Sequence, residues 1–233
     1  MRGALFFDVF GTLVDWRSGV ARAVRETLEP KGFALDWLAF ADDWRAQYQP
    51  TMARVRDGAR PFTILDDLHR ENVAPVLARH GVSGLDPATI DELVLAWRRL
   101  DAWPDVAQGL ARLRPHYLLA PVSNGNVALM TGIAWRNGLV WDAILGAEHA
   151  RDYKPKPDVY RAACRAFDLP PERCTMVAAH TNDLVAAAAC GLKTAHIARP
   201  DEHGPGRGER APGCAVDHAA RDLGDLADQL DCA

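Results

Sequence analysis

Residues 4–12 read Ala4-Leu5-Phe6-Phe7-Asp8-Val9-Phe10-Gly11-Thr12, and this stretch decides the fold of the chain. An apolar run enters it and stops at Asp8, and Gly11 and Thr12 follow closely. A short apolar run that closes in a turn is typical of a strand buried inside a sheet. We therefore expect a buried strand over residues 4–9, with the carboxylate of Asp8 near its carboxyl end.

Four further apolar runs follow along the chain, over residues 117–122, 143–145, 174–179 and 194–197. Each closes in small or polar residues, and segments of helix length separate most of them. Residues 157–167 carry apolar side chains at helical spacing, and residues 183–190 are rich in alanine, a strong helix former. This pattern predicts an α/β fold with a Rossmann-like, doubly wound parallel sheet and crossover helices.

Residues 16–100 differ from the rest, because helical spacing continues through them without a strand-like run. The spacing predicts helices over residues 20–28, 38–55, 64–80 and 88–98. A helical block between the first strand and the others is best explained as an inserted domain. We therefore predict a core domain of residues 1–15 and 100–233 and an all-helical cap domain of residues 16–99. Residues 201–212, rich in glycine, proline and charge, are predicted to form a surface loop.

The composition is that of a soluble globular enzyme, with 48% hydrophobic and 25% charged residues among 233. The net charge of −4 argues against nucleic acid or an anionic membrane as the main partner. Five cysteines without a C-x-x-C pair suggest neither a disulfide framework nor a zinc site. The sequence has no recognisable signal peptide and no apolar stretch of the roughly 18 residues that span a membrane, so we expect a cytoplasmic location.

Polar residues stand where the predicted strands end. They are Asp8 in the first, Ser123 and Asn124 after the second, Lys154 after the third, and His180-Thr181-Asn182-Asp183 after the fourth. In open parallel sheets, ligands bind outside the carboxyl ends of the strands. We therefore expect these groups to converge at one edge of the sheet. A nearby cation lowers the pKa of a carboxyl group, so Lys154 is the expected counter-charge of Asp8, with a solvated loop lysine as the alternative.

Four segments at these strand ends resemble the motifs of the haloacid dehalogenase superfamily. They are Asp8-Val9-Phe10-Gly11-Thr12-Leu13-Val14-Asp15, Ser123-Asn124-Gly125-Asn126, Tyr153-Lys154-Pro155-Lys156-Pro157 with Tyr160, and Ala179-His180-Thr181-Asn182-Asp183. The motifs occur in the order of the family, and the helical insertion lies in the expected place. The resemblance spans residues 8–183 and implies the same fold as the apolar pattern.

Phe10 indicates which reaction the resemblance implies. Phosphatases of this superfamily have an aspartate two residues after the nucleophile, which protonates the leaving group and helps to hold magnesium. Phe10 cannot transfer a proton, whereas a halide is a weak base and leaves without one. An aromatic residue at this position resembles the L-2-haloacid dehalogenase branch. Three alternatives stay open: a magnesium-dependent phosphatase, a hydrolase of the same branch that opens a strained C2–N ring, and a non-catalytic binding protein.

The resemblance implies that Asp8 attacks C2 of a short-chain (S)-2-haloacid and displaces the halide. Water then hydrolyses the aspartyl ester and releases an (R)-2-hydroxy acid. The expected partners are the small haloacid and the halide ion, with no cofactor and no metal ion. The resemblance also suggests a homodimer.

The same resemblance implies a set of substrate-binding residues. Ser123 is expected to bind the substrate carboxylate, together with the backbone N–H groups of Val9, Phe10 and Asn124. A serine that only caps its helix is the alternative. Arg45 in the cap is the expected halide acceptor, assisted by Asn124, because arginine stays charged and is weakly hydrated. A solvated helix arginine is the alternative.

The fourth motif departs from the best-known dehalogenases of this branch. They have an asparagine three residues before the aspartate and a serine two residues further back, where this chain has His180 and Ala178. His180 is expected to position or polarise the hydrolytic water, or else to be a buried, hydrogen-bonded histidine. Asn182 is expected to support it.

The remaining site residues surround the nucleophile. Asp183 is expected to hold Lys154 or the water, or to cap the alanine-rich helix. Thr12 is expected to hydrogen-bond Asp8 and fix its rotamer, with a simple turn threonine as the alternative. Tyr160 matches a family tyrosine near the active lysine and is expected to bond near Asp8 or to pack in the core.

Overall fold

The computed structural model describes residues 3–232, and its centre is one sheet of six strands. The strands are β1 (Ala4–Phe7), β2 (Leu118–Ser123), β3 (Leu145–Gly146), β4 (Cys174–Ala178), β5 (Lys193–Ile197) and β6 (His218–Ala220). Their order is β3-β2-β1-β4-β5-β6, and all neighbouring strands run parallel. The chain thus winds outward from β1 in both directions, and the predicted doubly wound α/β sheet is confirmed.

The continuous apolar run of β1 follows from its place at the centre of the sheet. All four of its residues are buried, because helices cover both faces. Leu5 and Phe7 pack into the hydrophobic cluster that continues into the inserted helices, while Ala4 and Phe6 pack into a second cluster on the opposite face. In a strand buried on both faces, polar residues do not alternate with apolar ones, so the apolar run is uninterrupted.

Within residues 3–232, six α-helices lie outside the insertion. They are α6 (Val106–Leu113), α7 (Val127–Asn137), α8 (Ala147–Ala150), α9 (Pro157–Ala166), α10 (Thr181–Ala188) and α11 (Leu223–Gln229). Helices α7, α9 and α10 follow β2, the loop after β3, and β4 respectively. None of the helices in residues 3–232 has the length and apolarity to cross a membrane.

The insertion between β1 and β2 is built of helices. Its helices are α1 (Trp16–Leu28), α2 (Trp37–Ala46), α3 (Tyr48–Arg56), α4 (Leu65–Arg79) and α5 (Pro87–Val94), with short 3₁₀ turns after α1 and α5. The inserted helical cap is therefore as predicted, while its exact boundaries at residues 16 and 99 stay a prediction.

One predicted cap helix is wrong, because residues 38–55 form two helices rather than one. Pro50 lacks a backbone N–H, and its ring clashes with the carbonyl of residue 46 when a helix runs through both. The structure avoids this clash because α2 ends at Ala46 and α3 begins at Tyr48, which places Pro50 in a first helical turn. Proline is tolerated in a first turn, where its missing N–H needs no partner.

Candidate active site

A cavity of about 480 Å³ lies at the carboxyl edge of the sheet, beneath the cap. Most of the predicted site residues line it, namely Asp8, Phe10, Arg45, Asn124, Lys154, Tyr160, His180, Asn182 and Asp183. Asp8 follows β1 and His180 follows β4, the neighbouring strands between which the winding direction reverses. Ligands of doubly wound sheets bind at such a switch point, so the topology brings these residues together.

Hydrogen bonds hold both carboxylate oxygens of Asp8. The hydroxyl of Thr12 donates to Oδ2 at 2.7 Å, and Lys154 Nζ donates to Oδ1 at 2.9 Å. Nδ1 of His180 lies 3.1 Å from Oδ2. Thr12 also accepts a hydrogen bond from the backbone N–H of Ala179 at 2.9 Å, so it connects the loop after β1 to the end of β4. The alternative of a simple turn threonine is therefore wrong.

Asp8 is ionised despite its burial. Burial alone raises the pKa of its carboxyl group, but the positive charge of Lys154 and the hydrogen bond to His180 outweigh it. The pKa of Asp8 therefore lies well below its ordinary value. A buried carboxylate with this pKa is unprotonated at neutral pH and can act as a nucleophile.

Lys154 lies between two carboxylates and is itself buried. Its ammonium group donates to Asp8 at 2.9 Å and to Asp183 Oδ2 at 2.5 Å. Burial lowers the pKa of Lys154, but the charges of Asp183 and Asp8 raise it above its ordinary value, so the group stays charged. The alternative of a solvated loop lysine is wrong, because only 7% of the side chain is exposed.

Asp183 lies in the first turn of α10 and is not its N-cap, which is His180. Its Oδ1 accepts a hydrogen bond from the hydroxyl of Tyr160 at 2.5 Å. Burial, together with the negative charge of Asp8, raises the pKa of Asp183, although Lys154 opposes this shift. Asp183 therefore holds Lys154 from the side opposite Asp8, and Tyr160 fixes Asp183 in turn.

His180 contacts a second carboxylate, which the sequence did not predict. Its Nε2 lies 2.9 Å from Oε2 of Glu202, a residue that is 2% exposed. Burial lowers the pKa of His180, but the hydrogen bonds to Asp8 and Glu202 outweigh it and raise the pKa to about 10. Burial also raises the pKa of Glu202, but His180 outweighs it and the pKa lies below its ordinary value.

The prediction of a surface loop over residues 201–212 is wrong at Glu202. Its side chain is buried and faces the site. Trp16 Nε1 donates to the other oxygen of Glu202 at 3.0 Å. Gly11 makes room for this carboxylate, since a Cβ there would lie 2.1 Å from Oε1 of Glu202, and its φ of +85° also favours glycine. The signal that could have found Glu202 is its place just beyond β5, at the same sheet edge as the other site residues.

Arg45 carries its charge among aromatic rings. Its guanidinium carbon lies 3.9 Å from the ring centre of Tyr48, 5.4 Å from Trp16 and 5.7 Å from Phe10. Within residues 3–232, no carboxylate lies within ion-pair distance of Arg45, and its buried Nη1 has no hydrogen-bond partner. The group is therefore available to an anion in the cavity, and the alternative of a fully solvated arginine is wrong.

The remaining predicted residues occupy supporting places. Ser123 is the last residue of β2, fully buried, and its Oγ accepts a hydrogen bond from the N–H of Gly125 at 3.1 Å. A pure capping role is wrong for it, because α7 begins after Asn126. Asn124 Oδ1 accepts from the N–H of Lys154 at 2.8 Å.

Two further predicted residues differ in their exposure. Val9 is buried beside Asp8 without lining the cavity, and its carbonyl accepts from the backbone N–H of Leu13. Asn182 is exposed at the cavity mouth, where its Oδ1 accepts from the N–H of Asp183 at 2.9 Å. Its supporting role toward His180 stays a prediction.

Known proteins with similar sequences and structures were compared with this chain. The (S)-2-haloacid dehalogenase 4A of Burkholderia cepacia is 29% identical over 226 residues, which are 96% of this chain and 92% of that protein. A crystal structure of a defluorinating L-2-haloacid dehalogenase is 44% identical, with a TM-score of 0.96 over 98% of this chain and 95% of the other.

A more distant structure holds a ligand. The L-2-haloacid dehalogenase of Xanthobacter autotrophicus, with chloropropionic acid covalently bound, is 25% identical with a TM-score of 0.83 and covers 99% of both chains. The family model of the haloacid dehalogenase-like hydrolases matches residues 3–191 of this chain. Since the match spans most of the chain and all four motifs, the chain belongs to the haloacid dehalogenase-like hydrolases.

Proposed function

We propose that this protein is an (S)-2-haloacid dehalogenase, which converts short-chain (S)-2-haloacids to (R)-2-hydroxy acids through an aspartyl ester. The observation that carries the proposal is an ionised Asp8 beside Phe10, where a phosphatase of the superfamily would have its acid. A halide needs no proton in order to leave. The relatives described above are haloacid dehalogenases, which supports the same reaction.

In the first step, a carboxylate oxygen of Asp8 attacks C2 of the haloacid from the side opposite the halogen. The new C–O bond forms as the carbon–halogen bond breaks, and the halide leaves with the electron pair. Ser123 and the N–H groups of Val9, Phe10 and Asn124 bind the substrate carboxylate. The halide moves toward Arg45, assisted by Asn124. Backside attack inverts C2, which converts the (S) substrate to the (R) product.

In the second step, water attacks the carbonyl carbon of the Asp8 ester. Ester formation removes the negative charge of Asp8, so one of the two carboxylates that raise the pKa of His180 is lost. His180 can then release its proton to solvent and accept one from the attacking water as general base, while Glu202 stabilises its protonated form. The bond between the Asp8 carbonyl carbon and the product oxygen breaks, and that oxygen takes the proton from His180. The carboxylic acid left on Asp8 then passes its proton to His180, which restores the starting state.

A magnesium-dependent phosphatase is the main alternative. It needs an acid two residues after the nucleophile, and Phe10 there is buried against the rings of Tyr48 and Trp97. Opening of a strained C2–N ring uses the same displacement and differs only in its substrate. A cytoplasmic location and a homodimer also stay proposals.

The experiment is halide release from the two enantiomers of 2-chloropropionate, and from fluoroacetate, with EDTA present. Of the two enantiomers of 2-chloropropionate, we expect only the (S) form to release chloride. The Asp8→Asn variant should release no halide. Hydrolysis of p-nitrophenyl phosphate that depends on magnesium, without halide release, would favour the phosphatase. A single turnover in heavy-oxygen water should place the label in Asp8, and label that appears first in the product would exclude the ester.

A further inference from the structure

The catalytic loop that carries Lys154 is bonded to the cap as well as to the core. Nη1 of Arg56, the last residue of α3, donates to the backbone carbonyl of Lys154 at 3.1 Å. The backbone N–H of the same lysine donates to Asn124 of the core at 2.8 Å. The backbone of Lys154 is therefore held by the core through its N–H and by the cap through its carbonyl.

The residue before Lys154 has a cap contact of its own. The hydroxyl of Tyr153 donates to the backbone carbonyl of Thr63 in the cap at 2.6 Å, and its ring lies 5.4 Å from that of Phe62. Tyr153 is fully buried, and its packing against these residues limits the movement of the loop. Arg56 thus acts on a loop whose other contacts already restrict it.

The backbone position of Lys154 matters because of what its side chain does. Its ammonium group bonds two carboxylates at once, at 2.9 and 2.5 Å, and a long flexible side chain can do so only from a fixed backbone. A guanidinium that donates to a carbonyl forms a charge-assisted hydrogen bond, which is stronger and more directional than one between neutral groups.

We propose that Arg56 is a positioning residue, which holds the backbone of Lys154 so that its ammonium group stays between Asp8 and Asp183. The ion pairs of the core then depend on the docked cap. Arg56 does not line the cavity, so it acts through Lys154 and not on the substrate. This inference rests on the proposed dehalogenase function, because the effect is measured on that reaction.

The chain offers a matched control on the same helix. Arg54 is exposed, whereas Arg56 is half-buried and bonded to Lys154. The Arg56→Ala variant should lower kcat for halide release by about tenfold, the effect of about 1.4 kcal/mol of lost positioning, with KM nearly unchanged. Arg54→Ala should leave both constants unchanged. Arg56→Lys keeps one charged donor and should recover most of the lost kcat, which a loss of packing alone would not predict.

Three outcomes would overturn the proposal. The first is an Arg56→Ala variant with the activity of Arg54→Ala, and the second is a raised KM with an unchanged kcat, which would mean substrate binding. The third concerns Gln49, to which Arg56 also donates at 3.3 Å. Gln49 itself lines the cavity, so the test is a double variant: if Arg56→Ala has no further effect in the Gln49→Ala background, Arg56 acts through Gln49 and not through Lys154. An inactive wild-type protein would instead refute the proposed function.

Discussion

His180 is the residue whose chemistry depends most on its neighbours. A lone histidine in a buried place would be neutral, because burial lowers the pKa of an imidazole. Here Asp8 and Glu202 outweigh burial, so the free protein holds a protonated imidazole between two carboxylates. Formation of the ester removes the charge of Asp8, one of the two that raise this pKa, at the moment when a base is needed.

Replacement of His180 should therefore separate the two steps of the reaction. We expect His180→Asn to release about one equivalent of halide per site and then to turn over at least about a hundredfold more slowly, because general base catalysis contributes roughly 10²–10⁴-fold. The trapped ester should raise the mass of the protein by the mass of the carboxyalkyl group that the substrate leaves on Asp8 after loss of its halide. Single-turnover halide release and mass spectrometry of the intact protein measure the two effects.

His203 is the matched control for this variant. It also lines the cavity and its Nε2 lies 3.6 Å from Oε2 of Glu202, but its side chain is 47% exposed and has no hydrogen bond to Asp8. We expect His203→Asn to turn over at a rate close to that of the wild type. A His180→Asn variant without a halide burst would show that His180 serves the displacement step instead.

The residues of the site differ in how far the sequence could predict them. Asp8 directly follows β1, Lys154 lies in the loop between β3 and α9, and Asp183 lies in the first turn of the helix after β4, so the order of strands and helices places all three at one edge. Glu202 lies in a loop whose glycines and prolines indicate only an irregular backbone, and its contact with His180 depends on how that loop folds back. Arg45 came only from the family resemblance, because nothing local separates it from the other arginines of the cap.

At the scale of elements, the apolar runs predicted strands β1 to β5, nearly all of whose residues are buried. Strand β6 was missed because it has three residues, of which only Ala220 is buried, so it has no apolar run. The break between α2 and α3 was missed because the apolar spacing continues across it. Pro50 was the available signal, and its steric effect on the preceding turn decides the boundary.

Helix α4 begins with two aspartates that the sequence cannot distinguish. Asp67 is exposed, whereas Asp66 is buried and accepts hydrogen bonds from Asn126 Nδ2 at 2.8 Å and from Arg98 Nη2 at 2.5 Å. The backbone N–H of Asp66 donates to Asn126 Oδ1 at 3.2 Å in return. Since Asn126 precedes α7, this cluster joins the cap to the loop that carries Ser123 and Asn124.

The pair of aspartates gives a test of this cap–core contact. Asp66→Ala should lower the free energy of unfolding by about 3 kcal/mol, because it leaves Arg98 and Asn126 without their buried partner. Asp67→Ala removes the same charge from the same helical turn and should cost less than about 0.5 kcal/mol. Urea unfolding of both variants measures the difference, and equal losses would mean that the contact contributes nothing.

At the scale of the whole molecule, stability should depend on pH through the same groups that serve the site. The folded state raises the pKa of His180 to about 10, above the roughly 6.5 of an unfolded chain. Its stabilising effect is therefore complete below about pH 6.5 and is lost as the pH rises toward 10. Asp8 and Glu202 have lowered pKa values, so their stabilisation is present at neutral pH and is lost as the pH falls.

We expect the free energy of unfolding of the wild type to decline between about pH 6.5 and 10, and that of His180→Asn to change less over this range. Urea unfolding at several pH values measures both curves. Parallel curves for the two proteins would mean that His180 does not titrate differently in the folded and unfolded states.

We expect the contact of the proposed homodimer at one exposed side chain. Trp135 on α7 is 88% exposed, an unusual exposure for the residue type that most often carries interface binding energy. A groove of about 540 Å³ lies close to it in the chain, lined by Leu110, Leu139 and the half-exposed Val140. In a two-fold dimer each contact is made twice, and we expect Trp135 of each protomer to pack into the groove of its partner.

We therefore expect the wild type to be a dimer at micromolar concentration and Trp135→Ser to be a monomer by sedimentation velocity. Val185→Ser, which changes a half-exposed apolar residue on α10, should stay dimeric and controls for a general loss of surface apolarity. The monomeric variant should keep its halide release, because Trp135 does not line the cavity. A wild type that sediments as a monomer, or a Trp135→Ser variant that remains dimeric, would exclude this face as the dimer contact.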